Sequence, residues 1–360
     1  MTKRLVLSID GMGGDIGPAP VIGGLVRALK VNTELFFLLH GDEAVLKPLV
    51  AKSPLLADAV EIRHAPDNVP MDQQPSHALR RGRNSSMWRC LQSVAEGEAG
   101  AAVSAGNTGA LLAMSILLLR KAPGVERPAI AIHWPSDHPC GYTTMLDVGA
   151  DIRADAQNLS QYAVMGAEYA KISLTLETPR VGLLNVGTEA NKGPANLAEA
   201  ADVIQSIATH PEAGFSYIGF VEGTHIPTGR VDVVVTDGYA GNIALKTGEA
   251  TARFIRDALK RAFKHTWLSR LGYLFAITSL ERLRKRIDPR RVNGGVFLGL
   301  GGNVVKSHGG TDALGFSVAI NLAARMAERN FPDHLASQLA KLNIDRKSNA
   351  STDGAERRAP

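Results

Sequence analysis

A chain of 360 residues that is 45% hydrophobic and 21% charged can bury a large core, which excludes global disorder and points to one large domain or two closely joined ones. Its two cysteines, Cys90 and Cys140, are too few for a disulfide framework and lack metal-ligand spacing, so a reducing cytoplasm is the expected setting. The formal charge of +5 is uneven: the stretch from Arg253 to Arg291 holds 12 Lys/Arg against 3 Asp/Glu, which leaves −4 for the rest and marks that stretch for an anionic surface.

In chain order, short apolar runs alternate with helical patterns: RLVLSID, a helix from Ala19 to Leu29, ELFFLLH, a helix from Glu43 to Val50, then VEIRH. AAVSAG precedes a helix from Ala110 to Arg120. AIAIHW and YTTMLDVG follow and lead to a helix from Gln157 to Lys171. RVGLLNVG introduces a helix from Asn196 to Ala208, and VDVVVTDG one from Ile243 to Lys264. Val/Ile/Leu-rich strands of this kind are buried on both faces, and strand-helix alternation predicts an α/β chain with a mostly parallel, twisted sheet. A short polar turn between AIAIHW and YTTML predicts one antiparallel hairpin within it. Residues 1–341 are expected to form a single catalytic domain and 342–360 a disordered tail. Leu5 to Ile9 is too short for a signal-peptide core, and the apolar run from Ala110 to Leu119 falls short of the ~20 residues of a spanning helix.

Ligands of open α/β sheets bind beyond the carboxyl ends of strands. Five such ends run into glycine-rich polar loops. The first holds Asp10, Gly13, Gly14 and Asp15, and the second Ser104, Gly106, Asn107, Thr108 and Gly109. The third holds Gly187, Thr188, Lys192 and Gly193, the fourth Asp237, Gly241 and Asn242, and the last Gly301, Gly302, Lys306 and His308. A single loop of this kind is a tight turn with a helix cap. Five on one sheet edge predict an anion cradle built from N–H groups at helix starts. The nucleotide patterns GxxxxGK[ST] and GxGxxG are absent, as are GxSxG and HExxH. His133 ends an apolar strand, Cys90 falls in a helical pattern and Cys140 in a turn, and all three read as structural.

SAGNTGALLA, RPAIA, LDVGA, QYAVMGAEYA, RVGLLNVGTEANKG, VDVVVTDGYAGNIALK and LGLGGNVVKSHGGTDALGF, in this order from Leu5 to Ala327, resemble the bacterial fatty acyl-carrier-protein:phosphate acyltransferases. DGMGGD stands where that family usually has DAMGGD, and Asp151 where Asn is common. The resemblance implies a Rossmann-like α/β/α sandwich similar to phosphotransacetylases and to isocitrate and isopropylmalate dehydrogenases. It also implies a homodimer, acyl-acyl-carrier protein and inorganic phosphate as substrates, and delivery of acyl phosphate to a membrane glycerol-3-phosphate acyltransferase in phospholipid synthesis.

That chemistry needs no metal or organic cofactor. Phosphate is mostly dianionic at neutral pH and a thiolate leaves readily, so anion capture, alignment and oxyanion stabilisation suffice. Lys192 and Lys306 are the expected cations, and Asn107, Thr108 and Asn242 the neutral donors. His308 would orient phosphate or protonate the leaving thiol. Asp10, Asp15, Asp147 and Asp237 are expected to fix loops, since negative charge beside phosphate opposes binding. In the basic stretch Phe263, Trp267, Leu271, Leu274 and Phe275 interleave with Arg and Lys, which predicts a protruding amphipathic arm at about 250–290; a helix pair at a dimer interface, a docking face for the acidic carrier protein and an anchor on the inner face of an anionic membrane compete, and the aromatic residues beside clustered Arg favour the membrane. No base-reading motif accompanies it, so nucleic acid is not expected. Two rival functions remain at this level: a short-chain phosphotransacetylase using coenzyme A, and a non-catalytic membrane scaffold.

Overall fold

The apolar runs become strands β1 (Leu5–Asp10), β2 (Leu35–Gly41), β3 (Val60–His64), β4 (Ala101–Ser104), β5 (Ala129–Pro135), β6 (Tyr142–Leu146), β7 (Arg180–Leu184), β8 (Ser216–Val221), β9 (Val233–Val235), β10 (Gly295–Leu298) and β11 (Asn303–Lys306). The computed structural model describes residues 4–189, 191–286 and 294–342, and the tail expected over 342–360 lies outside them but for its first residue. Among these residues one eleven-stranded sheet has the order β3-β2-β1-β4-β11-β10-β5-β6-β9-β7-β8.

Between the strands lie α1 (Pro18–Leu29), α2 (Glu43–Val50), α3 (Pro75–Arg81), α4 (Ser86–Ala95), α5 (Thr108–Leu119), α6 (Ala156–Ser173), α7 (Ala195–Ala208), α8 (Gly238–Lys264), α9 (Trp267–Arg286), α10 (Ala313–Glu328) and α11 (Phe331–Lys341). Polar side chains start several of them. Asn107 caps α5 through Ala110 N–H, Asp237 caps α8 through Ala240 N–H, and Asp312 caps α10 through Gly315 N–H.

Period-two alternation sorts the strand side chains into two cores. Val305, Val233 and Val235 face one core with α1, α6, α7, α10 and α11, whereas Val304 and Val234 face the other with α4 and α5. Ala244 and Leu245 of α8 pack on that second core, so α5 and α8 lie on one face. The result is a helix-sheet-helix sandwich, an α/β fold.

The sheet is mostly parallel but changes direction in its middle. β1, β2, β3, β4 and β11 run one way. β10 and the β5–β6 pair are antiparallel insertions, after which β6, β9, β7 and β8 run the opposite way. Consequently the five glycine-rich loops do not share one edge. Those after β1, β4 and β11 open at the edge marked by Lys306; those after β9 and β7 open at the edge marked by Asp147, which follows β6.

The segment from Gly299 to Lys306 also differs from its reading as a loop. Gly301 and Gly302 form the turn of the β10–β11 hairpin, and Asn303 to Lys306 are a strand beside β4. Gly301 N–H donates to Arg120 O at the end of α5, so this turn is packed at the edge opposite Lys306. Two adjacent valines favour strand pairing over an open loop.

Beyond residue 250, α8 leaves the sheet and α9 folds back on it, with the Phe263 and Tyr273 rings 5.5 Å apart in an edge contact. Trp267 is 72% exposed and Phe275 82%; Leu271 and Leu274 are exposed as well. Among the described residues no helix is long and apolar enough to cross a membrane.

Candidate active site

At the Lys306 edge, β1, β4 and β11 lie side by side and release their chain into α1, α5 and α10, three helices that start there. The loops are tied together by Asp10, whose two carboxyl oxygens accept Ser86 Oγ and Ser104 Oγ, each at 2.6 Å. Ser104 Oγ accepts Gly106 N–H at 3.0 Å, and Ser104 O accepts Ser307 N–H at 2.8 Å. Asp15 N–H donates to Gly309 O at 2.9 Å, which joins the first loop to the last. Gly14 approaches Gly309 and Ala105 at this crossing. The fit leaves no room at Gly13, where a Cβ would stand 2.6 Å from Asp10 Oδ2 and 2.7 Å from Gly106 N.

Lys306 is the cation of this edge. It is 9% exposed, and its Nζ donates to Ala105 O at 3.2 Å and to Ser307 O. Burial lowers its pKa to about 8; Asp10 and Asp15 oppose that shift, and Lys246 adds to it. In β11 Lys306 shares the face of Val304, the face that carries α5 and α8. Helix N-termini plus a buried, titratable ammonium form an anion-binding arrangement.

α8 supplies the opposite wall. It starts at the Asp147 edge, where Gly241 lies so close to Asp147 O that a Cβ would be 1.8 Å away, and Asn242 packs against Gly149. It then runs toward the Lys306 edge, and Gly248 meets the ring of Trp134. Asn242 and Lys246, four residues apart, therefore share one stripe of α8; the Lys246 side chain is 61% exposed and its ammonium pairs with Glu249 at 3.2 Å, and its charge reaches Lys306. Lys246 did not emerge from the loop survey because it lies inside a helix. Its spacing from Asn242 in AGNIALK was the available signal.

The remaining residues divide clearly. Asn107 does not present its amide to the cleft: Nδ2 donates to Met71 O at 2.7 Å and Gln73 O at 3.0 Å, while Oδ1 caps α5. Thr108 and Gly109 begin α5 beside it, with N–H groups that precede the helical bonding pattern. His308 is exposed, and its Nδ1 accepts Gly310 N–H at 3.1 Å. Lys192 lies on the exposed loop after β7, which is five places from β11 in the order β11-β10-β5-β6-β9-β7. Its ammonium pairs with Glu189 at 2.8 Å, and that hydrogen bond raises its pKa. Gly187, Thr188 and Gly193 belong to the same loop, with Asn185 Nδ2 donating to Lys192 O. Asp147 accepts N–H groups from Ile130, Gly149, Ala150 and Asp151; burial pushes its pKa up, and those bonds oppose the shift.

The residues read as structural also have definite surroundings. His133 is partly buried, stacks on Tyr169 at 5.2 Å, and has its pKa lowered by burial to about 4. Cys90 is buried and burial raises its thiol pKa far above the usual range. Cys140 is exposed, with its Sγ 2.8 Å from His138 Nδ1.

The profile of the family described as "Fatty acid synthesis protein" matches residues 5–334. A phosphate acyltransferase of Jannaschia sp. (strain CCS1) is 57% identical over 336 residues, 93% of this chain and 92% of that protein. One from Ruegeria pomeroyi is 53% identical over 353 residues, 98% of this chain and 95% of that protein. Among solved structures, a phosphotransacetylase from Streptococcus pyogenes superposes with a TM-score of 0.60 at 18% identity, covering 91% of this chain and 95% of that one. The EutD phosphotransacetylase of Staphylococcus aureus gives 0.57 at 17% identity, covering 90% and 94%. At those identities the likeness is one of fold. Sequence identity above one half across nearly the whole length places the chain in the phosphate acyltransferase family of fatty acid synthesis proteins, and it is an enzyme.

Proposed function

We propose that the enzyme transfers a fatty acyl group from the thioester of an acyl carrier protein to inorganic phosphate. A phosphate oxygen attacks the thioester carbonyl, the C–S bond breaks, and acyl phosphate and the carrier thiol leave. The observation that carries this reading is the buried Lys306 among the starts of α1, α5 and α10, within reach of the charge of Lys246. Two cations and helix N–H groups hold a dianion and offset the charge that develops on the carbonyl oxygen. Asn242, one helical turn from Lys246, is the neutral donor of the α8 wall. Lys192 enters the reaction in this reading only if the Gly187–Gly193 loop exchanges its Glu189 contact for substrate.

The acyl phosphate then serves a membrane glycerol-3-phosphate acyltransferase, and the enzyme works as a homodimer in the cytoplasm. Its α8–α9 arm, with Trp267, Leu271, Leu274 and Phe275 exposed beside Arg and Lys, rests on the anionic inner face of the membrane.

Purified protein is incubated with acyl-carrier protein and phosphate, and hydroxylamine traps the product; acyl-coenzyme A runs in parallel. Acyl hydroxamate from the carrier-protein donor supports the reading. Product from acyl-coenzyme A alone indicates a phosphotransacetylase, and none from either donor leaves a scaffold.

A further inference from the structure

The Asp147 edge holds a cavity that the phosphate chemistry above does not use. Its volume is about 680 Å³, and it is lined by Ile116 at the lower part of α5, by Lys121, Arg127 and Arg153, and by Asn158 of α6. Glu126 and Asp155 also border it, but the Asp155 carboxyl caps α6 by accepting Asn158 N–H at 2.8 Å. Lys121 Nζ donates to Glu126 O at 2.9 Å. Among the described residues neither Arg127 nor Arg153 belongs to an ion pair.

Arg127 and Arg153 therefore call for an occupant that is anionic at this point.

The cavity is connected to the Lys306 edge by α5. Thr108, Leu112 and Ile116 follow at intervals of four and form one stripe, from the helix start at that edge to the cavity wall, a rise of about 12 Å at 1.5 Å per residue. Leu112 is half-buried and Ile116 is 40% exposed, so this stripe is apolar and open.

We infer that the cavity takes the phosphopantetheine arm of the acyl donor. Arg127 and Arg153 hold the arm's phosphate, and the chain runs along Thr108–Leu112–Ile116 to bring the thioester to Lys306. This subsite rests on the acyl-transfer reading given above, and it assigns recognition of the arm to the edge opposite the phosphate site. Acyl carrier proteins and coenzyme A share this arm; the carrier is the source in this proposal.

The test compares acyl-phosphopantetheine with acyl-pantetheine, the same thioester without its phosphate. Wild-type KM should be at least tenfold lower for the phosphorylated donor. Arg127→Ala and Arg153→Ala should each raise that KM toward the value for acyl-pantetheine, shift the KM of acyl-pantetheine by less than twofold, and raise the KM of acyl-carrier protein. Equal wild-type KM values for the two short donors, or equal losses for both in the variants, would overturn the subsite. A variant effect on acyl-coenzyme A without one on acyl-carrier protein would overturn the choice of source. Calorimetric titration with phosphopantetheine itself reads the subsite without turnover. Binding lost in Arg153→Ala supports it, and no binding to wild type overturns it. Absence of product from every donor would instead strike the acyl-transfer reading.

Discussion

The charge of Lys246 in α8 adds to the burial that lowers the pKa of Lys306 in β11, although the two belong to halves of the sheet that run in opposite directions. A pKa of about 8 for Lys306 means that its charge is largely present at neutral pH and lost as pH rises through that value. A reaction that needs this charge should therefore show an alkaline limb near pH 8. Lys246→Met removes the repelling neighbour, so the limb should move upward; an unmoved limb would separate the two lysines. On the stability side the sign is the reverse. The unfolded lysine titrates near 10.5, so between about 8 and 10.5 the unfolded chain binds the extra proton and the folded state gains stability as pH rises.

Lys306→Met should lower kcat/KM for phosphate by about a hundredfold, the scale of losing one preorganised charge or donor, while the protein stays folded. Removal of a buried ammonium relieves its desolvation, which offsets the loss of its bonds to Ala105 O and Ser307 O. Circular dichroism and phosphate kinetics on the same preparation check both halves.

Gly13 and Gly272 provide opposite outcomes for one substitution. Gly13→Ala forces a methyl into Asp10 and the Gly106 backbone, and should cost about 2 kcal/mol or more with loss of activity. Nothing lies within 4 Å of a Cβ at Gly272 in α9, so Gly272→Ala should raise helix stability by up to about 1 kcal/mol. Denaturant melts of the two variants measure the contrast.

Mild acid should weaken the fold through His40 and His133, each held near a pKa of about 4, chiefly by burial. The stability that goes with the neutral rings is complete above the unfolded value of 6.5 and is lost as pH falls from there toward about 4. The scale is about 1.4 kcal/mol per pH unit for each ring. Urea unfolding at pH 7 and pH 5 reads the difference; equal midpoints would show that neither ring stays neutral.

The arm is tested with vesicles rich in anionic lipid. Trp267→Ala combined with Leu271→Ala should reduce sedimentation with such vesicles severalfold, and raised salt should do the same to wild type. Undiminished sedimentation of the double variant would remove the arm from membrane contact.

The local elements were legible in the sequence because they depend on near neighbours. Val60–His64 and Glu43–Val50 stand where the period of their apolar residues places them, and the β5–β6 hairpin was announced by its polar turn. Likewise the crowding of Asp10, Gly13 and Ser104 with polar and glycine neighbours marked them out, since strand ends in this fold class carry ligands. The β10–β11 hairpin escaped because its turn glycines look like a phosphate loop until β4 is seen pairing with Asn303–Lys306. What only the tertiary structure decided was direction and partnership: the reversal in the middle of the sheet sends the Gly187–Gly193 loop to the other edge and lets α8 return with Lys246, and, separately, Asn107 is tied to Met71 and Gln73. Strand polarity and side-chain pairing across a sheet depend on contacts between residues far apart in the chain, and no local period or spacing encodes them.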